Sequence, residues 1–234
     1  MKSSLGTVFA AVLAVGALPA EAQFSGKLVY SNGLTDYPLT ITYYQRGNLG
    51  RVDEQEINMG DDNKPDRAHP QIADTLLYNF SAGTRTILRT SLQFAVTVLS
   101  ASEDARLALP TDSNIVVVNK GKEKVNGYNC THFHIGSTGR KIRFSHDEDL
   151  WITKDLGIPG LMVFAKINYY TRDHIIMKKL LAAGGAGVLV QMMHTGTTRP
   201  GIRLVSADRN APPPSAFQVP AGYKPLDATK VGIP

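Results

Sequence analysis

Residues 115–135 have the sequence IVVVNKGKEKVNGYNCTHFHI, and this stretch decides the class of the fold. It contains Asn126-Gly127, the dipeptide that most strongly favours the two-residue turn of a β-hairpin. The runs on either side are rich in β-branched and aromatic residues, which favour strands. The stretch therefore predicts two antiparallel strands, Ile115–Val125 and Tyr128–Ile135.

Alternation of apolar and polar residues predicts more strands on both sides of this hairpin. Leu39, Ile41 and Tyr43 alternate with polar or amphipathic neighbours, and Gly47-Asn48 predicts a turn into the next strand. The same criterion predicts strands at 24–30, 49–55, 76–80, 84–89, 94–99, 140–145, 149–153, 188–193 and 202–207. A turn is expected at 81–83, a loop at 60–70, and an irregular tail tethered by Phe217 and Tyr223.

Two of the predicted strands are apolar on both faces, at 94–99 and at 115–118. Such strands are usually buried on both sides. We therefore expect both to be covered, by a second layer or by a ligand.

Helix signals come late in the chain. Pro159 occupies a favoured first helical position before apolar residues that extend to Tyr169. Asp173 predicts the start of a second short helix through Ala183, which Gly184-Gly185 would end. The expected architecture is one curved, mainly antiparallel sheet with a short helical insert against it, forming a single domain over 23–234.

The first residues predict export. Lys2 precedes an apolar run from Leu5 to Leu18, and Ala20-Glu21-Ala22 has the pattern of a signal-peptidase site. We expect residues 1–22 to be a signal peptide, with cleavage after Ala22 and a periplasmic or secreted product. No later apolar run is long enough for a membrane helix, and the lone Cys130 excludes an internal disulfide.

The net charge of +5 comes from lysines and arginines scattered along the chain. They form no basic run interleaved with aromatic residues, so we expect a soluble basic surface and no nucleic-acid partner.

Four stretches, taken in order, resemble a family of secreted bacterial proteins known only as a domain of unknown function. They are ITYY (41–44) with RVD (51–53), GKEKVNGYNC (121–130), DLWITKDL (149–156) and FQVPAGYK (217–224). The family is similar to the superfamily of the LolA and LolB lipoprotein carriers. That resemblance implies an incomplete antiparallel half-barrel, open on one side, with helices at its mouth and an apolar interior. It carries over no catalytic residue.

An apolar ligand pocket is the first functional hypothesis. The concave side of such a sheet can hold a lipid or the acyl chain of a lipoprotein. The candidate lining residues are Phe94, Val96, Val98, Trp151, Met162, Phe164 and Met192. The alternative is that these apolar side chains only fill the core.

Cys130, His132 and His134 form a second constellation, because residues two apart on a strand share a face. Cysteine and histidine bind zinc or copper, but three ligands along one strand cannot all converge on one ion. We therefore expect a half-exposed face with a buried, inert cysteine, and neither a metal nor another cofactor. The acidic stretch 61–66 lacks the glycine and the twelfth ligand of a calcium loop.

No nucleophile elbow, phosphate loop or dinucleotide fingerprint is present in the sequence. We therefore expect a binding protein for a hydrophobic ligand and no enzyme. The alternative is an interaction or structural module of the cell envelope, which would contact a protein partner through a sheet edge and the basic surface.

Overall fold

The computed structural model describes residues 23–33, 39–56, 71–99, 115–137, 147–160, 172–194 and 200–226. Within them lie twelve strands of one sheet and one α-helix. The strands are β1 Gly26–Asn32, β2 Leu39–Arg46, β3 Leu49–Glu56, β4 Gln71–Asn79, β5 Thr84–Arg89, β6 Phe94–Leu99, β7 Ile115–Val125, β8 Tyr128–Ser137, β9 Glu148–Thr153, β10 Val188–His194, β11 Ile202–Asp208 and β12 Lys224–Leu226. The helix is α1, Arg172–Ala182.

The three predicted hairpin turns are confirmed. Residues 47–48 join β2 to β3, residues 80–83 join β4 to β5, and Asn126-Gly127 joins β7 to β8. Asn126 and Gly127 have φ angles of 51° and 88°. Positive values at both central positions define the turn that matches the twist of paired strands.

The sheet consists of two meanders joined at its centre. Its order is β12-β6-β5-β4-β3-β2-β1-β11-β10-β9-β8-β7. The first strand of the chain therefore pairs with β11, and the sheet is open, with β12 and β7 at its two ends. All neighbouring pairs are antiparallel except β12 and β6.

One side of the sheet, which we call the core face, carries most of the buried apolar side chains. Directly paired residues share a face, so register gives its rows. One row is Leu28, Tyr43, Val52, Leu76, Ile87 and Val96. A second is Phe133, Leu150, Met192 and Ile202. Burying each large apolar side chain contributes about 1.5–3 kcal/mol before entropy is subtracted.

The opposite side, the outer face, is covered over β3 to β6 by the chain that follows β11. Arg46 Nη1 and Arg51 Nη1 donate to the carbonyls of Pro212 and Ala216 at 3.0 and 2.9 Å. The chain then makes a 3-10 turn at Pro214–Phe217. We call residues 209–226 the tail.

The tail ends as a strand that the sequence did not predict. The side chain of Tyr223 packs on a small cluster of Leu77, Leu88 and Ala95, which confirms its predicted tethering role. Immediately afterwards β12 runs parallel to β6. Three residues are too few to show a strand period.

The two strands predicted to be covered on both faces behave differently. In β6, Ala95 and Val96 are 8% and 0% exposed, so that prediction is confirmed. In β7 it is wrong, because Val116 and Val118 are 37% and 42% exposed. The physical reason is that the tail covers the outer face over β6, whereas no described segment covers that face over Val116 and Val118.

The second predicted helix is confirmed as α1. Gly184 follows it with φ 84°, and the Gly185 amide donates to the Leu180 carbonyl at 2.9 Å. A glycine in this conformation commonly ends a helix. The predicted loop 60–70, strand 140–145 and helix 161–169 lie outside the described residues, and no described helix meets the length and hydropathy of a membrane span.

Candidate functional site

The structure separates the predicted pocket residues. Phe94, Val96 and Met192 lie on the core face, since Val96 pairs with Ile87 and Met192 with Leu150. Val96 and Met192 are enclosed by protein. They belong to the core face that a ligand would have to contact.

Trp151 does not join them. It pairs with His132 and Gln191 and alternates with Leu150, so it lies on the outer face. Met162 and Phe164 lie outside the described residues, as does the side chain of Val98. Period-two alternation along β9 is the signal that places Trp151 on the other face of the sheet from Met192.

Two tyrosines are fully buried on the core face, with different hydrogen bonding. The Tyr43 hydroxyl donates to Gln45 Oε1 at 2.5 Å, and the Gly160 amide donates to the same oxygen at 2.8 Å. The Tyr30 hydroxyl has no hydrogen-bond partner within the described part of the chain. Burial raises the pKa of Tyr30 well above its usual value, and the neighbouring Tyr43 and Tyr128 raise it further.

A solvent-open depression of about 470 Å³ lies beside the tip of the β7–β8 hairpin. Its lining residues are Ser31, Asn126, Tyr128, Arg203, Leu204 and Val205. Arg203 Nη2 donates to Asn126 Oδ1 at 2.9 Å, which ties the hairpin tip to β11. Local sequence patterns could not reveal this site, because it brings together residues from three distant parts of the chain, at Ser31, at 126–128 and at 203–205.

His132 and His134 share the outer face, as predicted from their spacing, and Asp149 lies beside both. Asp149 Oδ1 is 2.8 Å from His132 Nε2 and 3.1 Å from His134 Nδ1. Glu123 Oε1 is 3.0 Å from His132 Nδ1 and also accepts a hydrogen bond from Trp151 Nε1. Trp151 stacks on His132 with ring centroids 4.5 Å apart. We call these five residues the His132 cluster.

The cluster is a hydrogen-bonded surface network in this structure. Each imidazole faces a carboxylate from a neighbouring strand. Across the described ranges, no group of three or more histidine, cysteine, aspartate or glutamate side chains is arranged to hold a metal ion. The carboxylate partners come from β7 and β9, whose register the sequence alone does not give.

Cys130 lies on β8 but is buried, and its thiol donates to the Tyr128 carbonyl at 3.6 Å. Burial raises its pKa to about 11, with smaller contributions from the nearby carboxylates of Asp155 and Glu123. Because the thiolate is the nucleophile and metal ligand, this cysteine is poorly suited to either role near neutral pH.

These features define a class of protein, mainly β, built on one open sheet with an apolar core face. Within that class, the chain belongs to a family described as a domain of unknown function, DUF4412, whose model matches residues 24–223. No curated protein matches the chain.

Proposed function

We propose that this is an exported, non-catalytic protein that holds a hydrophobic ligand, a lipid or an acyl chain, between the core face and its helical cover. The observation that carries the proposal is the row from Leu28 to Val96, in which every residue is apolar or aromatic across six adjacent strands. Most of these side chains are buried by protein in this structure, so an alkyl chain would reach them only when the helical cover moves away. Burial of the chain would then contribute about 25 cal/mol per Å² before binding costs.

The size of the sheet supports a concave shape. Open twisted sheets of more than about ten strands usually curl or split, and this one has twelve strands and remains open. We infer a half-barrel with one open side, as in the LolA and LolB carriers that the sequence resembles. Its interior would be the core face.

Helix α1 is the proposed movable cover. Ile176 and Leu180 are buried in the core, and Lys179 Nζ donates to the Ile115 carbonyl on β7. Of the described strands, β7 is the one that α1 contacts extensively. A cover attached mainly at one end of the sheet can move away without breaking strand pairing.

The first test is native mass spectrometry of the mature protein, purified from its export compartment without detergent, together with lipid analysis of a solvent extract. We expect a reproducible added mass that matches an extracted lipid. A bare polypeptide mass that stays unchanged after incubation with envelope lipids would contradict the proposal.

The role of α1 is tested by Lys179→Met, with Lys178→Met as the matched control, because Lys178 is exposed on the same helix. Loss of the bond to Ile115 should speed lipid release, measured by transfer to acceptor vesicles, while the control releases lipid like the wild type. Equal release rates in the two variants would show that the bond between Lys179 and Ile115 does not hold a cover over the ligand.

A second candidate function is supported by the exposure of β7. Val116 and Val118 are exposed on this end strand, and among the described residues no strand pairs with its outer backbone groups, which could therefore accept an added strand. In this reading the protein is an envelope interaction module. A photo-crosslinking residue at Val118 should then capture a protein partner in intact cells, whereas the same residue at Val219, exposed on the tail, should not.

A further inference from the structure

We propose that the hydroxyl of Tyr30 is the polar anchor of the ligand site and donates a hydrogen bond to the carbonyl oxygen of a fatty acyl ester. This inference rests on the proposed ligand-binding function and names the class of ligand. It starts from the unpartnered hydroxyl on the core face.

Buried hydroxyl groups without a partner are scarce in folded proteins, because burial removes their hydrogen bonds to water. Tyr30 and Tyr43 lie on adjacent strands of the same face and are both fully buried. Tyr43 has Gln45 as an acceptor, whereas Tyr30 has none among the described residues. An acceptor supplied by a ligand would remove this difference.

The surroundings of Tyr30 favour an uncharged acceptor. Its cross-strand partners, Ile41 and Leu204, and Leu28 on its own strand are buried and apolar. An ionised carboxylate placed among them would lose its hydration without gaining a counter-ion. An ester carbonyl carries no charge and accepts a hydrogen bond. The phenol is protonated at neutral pH and can donate, since burial raises its pKa further above the ordinary value of 10.0.

The depression beside the β7–β8 hairpin lies against β11, the strand next to Tyr30, and most of its lining residues are on the outer face. Leu204, the strand partner of Tyr30, lines it, and so does Tyr128, which acts electrostatically on Tyr30. Its volume of about 470 Å³ is within the range of small-molecule sites. An ester bound at Tyr30 would place its chain along the core face.

The test compares methyl palmitate with n-nonadecane, a hydrocarbon of similar size without an acceptor. Each is delivered from cyclodextrin to the wild type, Tyr30→Phe and Tyr43→Phe, and bound ligand is counted by chromatography of solvent extracts. The wild type should prefer the ester, and Tyr30→Phe should reduce that preference about tenfold. Tyr43→Phe is the matched control and should keep the preference.

Unfolding in urea gives an independent readout. Removing the unpartnered hydroxyl of Tyr30 should leave the midpoint of the ligand-free protein unchanged or raise it, while Tyr43→Phe should lower it.

The possible failures differ. An equal ester preference in the wild type and Tyr30→Phe, with both ligands bound, would overturn the role of Tyr30 and leave the proposed function standing. A lowered midpoint in Tyr30→Phe would show that the hydroxyl has a protein partner and would overturn the inference as well. Binding of neither ligand to the wild type would contradict the proposed function together with the inference.

Discussion

Strands β6 and β7 have similar apolar sequences, FAVTVL and IVVV, but they end up in different environments. β6 is the last strand of the first meander, and β7 is the first strand of the second. Each would be an edge strand if nothing else paired with its outer side. The tail adds β12 to β6 and packs Tyr223 on its outer side. Strand β7 receives no such cover in the described structure.

The comparison shows two ways of dealing with a sheet edge. β6 is paired with a short strand that contains Pro225, and short edge strands with proline are poor templates for further pairing. β7 instead carries Lys120, Lys122 and Lys124 and a register shift at Asn119–Gly121. Charge and a bulge both discourage pairing with another copy of the same edge.

The largest expected effect contrasts the outer face under the tail, where Leu88 of β5 pairs with Ala95 of β6, with the exposed β7. Leu88 is buried under the tail, and Leu88→Ala should lower the unfolding free energy of the protein by about 3 kcal/mol. Val118→Ala on the exposed β7 should lose less than about 0.5 kcal/mol. Urea denaturation measures both. A similar loss in the two variants would mean that β7 is covered in solution and would remove the contrast.

The attachment of the tail is tested at Arg51. Its guanidinium joins Asp53, at 2.8 Å, to the Ala216 carbonyl, and Thr75 donates to the same carboxylate at 2.7 Å. Arg51→Met leaves the buried Asp53 without its cation and frees the tail, so we expect a loss of about 2 kcal/mol.

Hydrogen exchange locates the effect of Arg51→Met. Amides of β6 should exchange faster in the variant, while those of β8 should keep their wild-type rates. Uniform acceleration across the sheet would show that the loss is global and that the tail does not protect β6 specifically. Arg203→Met is the matched control, because it removes the hydrogen bond to Asn126 in the other half of the sheet.

The protection of β7 by charge is tested by replacing its three lysines with threonine. We expect little change in unfolding free energy, because the side chains are exposed. Sedimentation velocity should instead show concentration-dependent self-association of the variant. A strictly monomeric variant would show that the bulge alone protects this edge, and Lys154→Thr, in an exposed turn, controls for loss of positive charge.

The smallest effect concerns Cys130, which lies directly across from Glu123 of β7. Its pKa is about 11 in the folded protein against 9.0 as the ordinary value. The folded state therefore holds its proton more tightly, and the associated stability is present below about pH 9 and lost as the pH rises toward 11. The stability of the wild type relative to Cys130→Ser should fall across that interval.

Thiol labelling of Cys130 near neutral pH should be slow, and its rate would report opening of β7 from β8. Ala95→Cys in a Cys130→Ser background gives the matching measurement for β6. Faster labelling at position 130 than at position 95 would sharpen the comparison. Faster labelling at position 95 would show that the tail opens from β6 more readily than β7 opens from β8.

Local patterns predicted the parts of the fold that local chemistry decides. Asn126-Gly127 favours positive φ angles, so this turn could be assigned from two residues. The short β12 could not, because residues 224–226 form a strand only where β6 offers a free edge. The same reason explains the error at 115–118, where apolar composition does not tell an inner strand from an end strand.

The candidate site shows a similar division. Spacing placed His132 and His134 on one face, but Asp149 joins them only through the register of β8 with β9. The pocket residues were chosen by side-chain type, which cannot tell Trp151 on the outer face from Met192 on the core face. The unpartnered hydroxyl of Tyr30 depends on what surrounds it in three dimensions, and no sequence pattern encodes that.

Two of the four stretches that carry the family resemblance also lie close together in space. Arg51 and Asp53, from one stretch, hold the chain at Ala216, just before the stretch that contains Tyr223. Their contacts fasten the tail to β3. This is a structural reason for these residues to occur together.

The central pairing of β1 with β11 has a consequence for how the chain reaches this structure. Lys27 pairs with Asp208, on the order of 180 residues later in the chain. Each meander can form from near neighbours, but the seam between them closes a very long loop, and contacts of that separation slow folding. The seam can therefore form only after β11 has been synthesised, and until then β1 lacks the strand that pairs with it on that side.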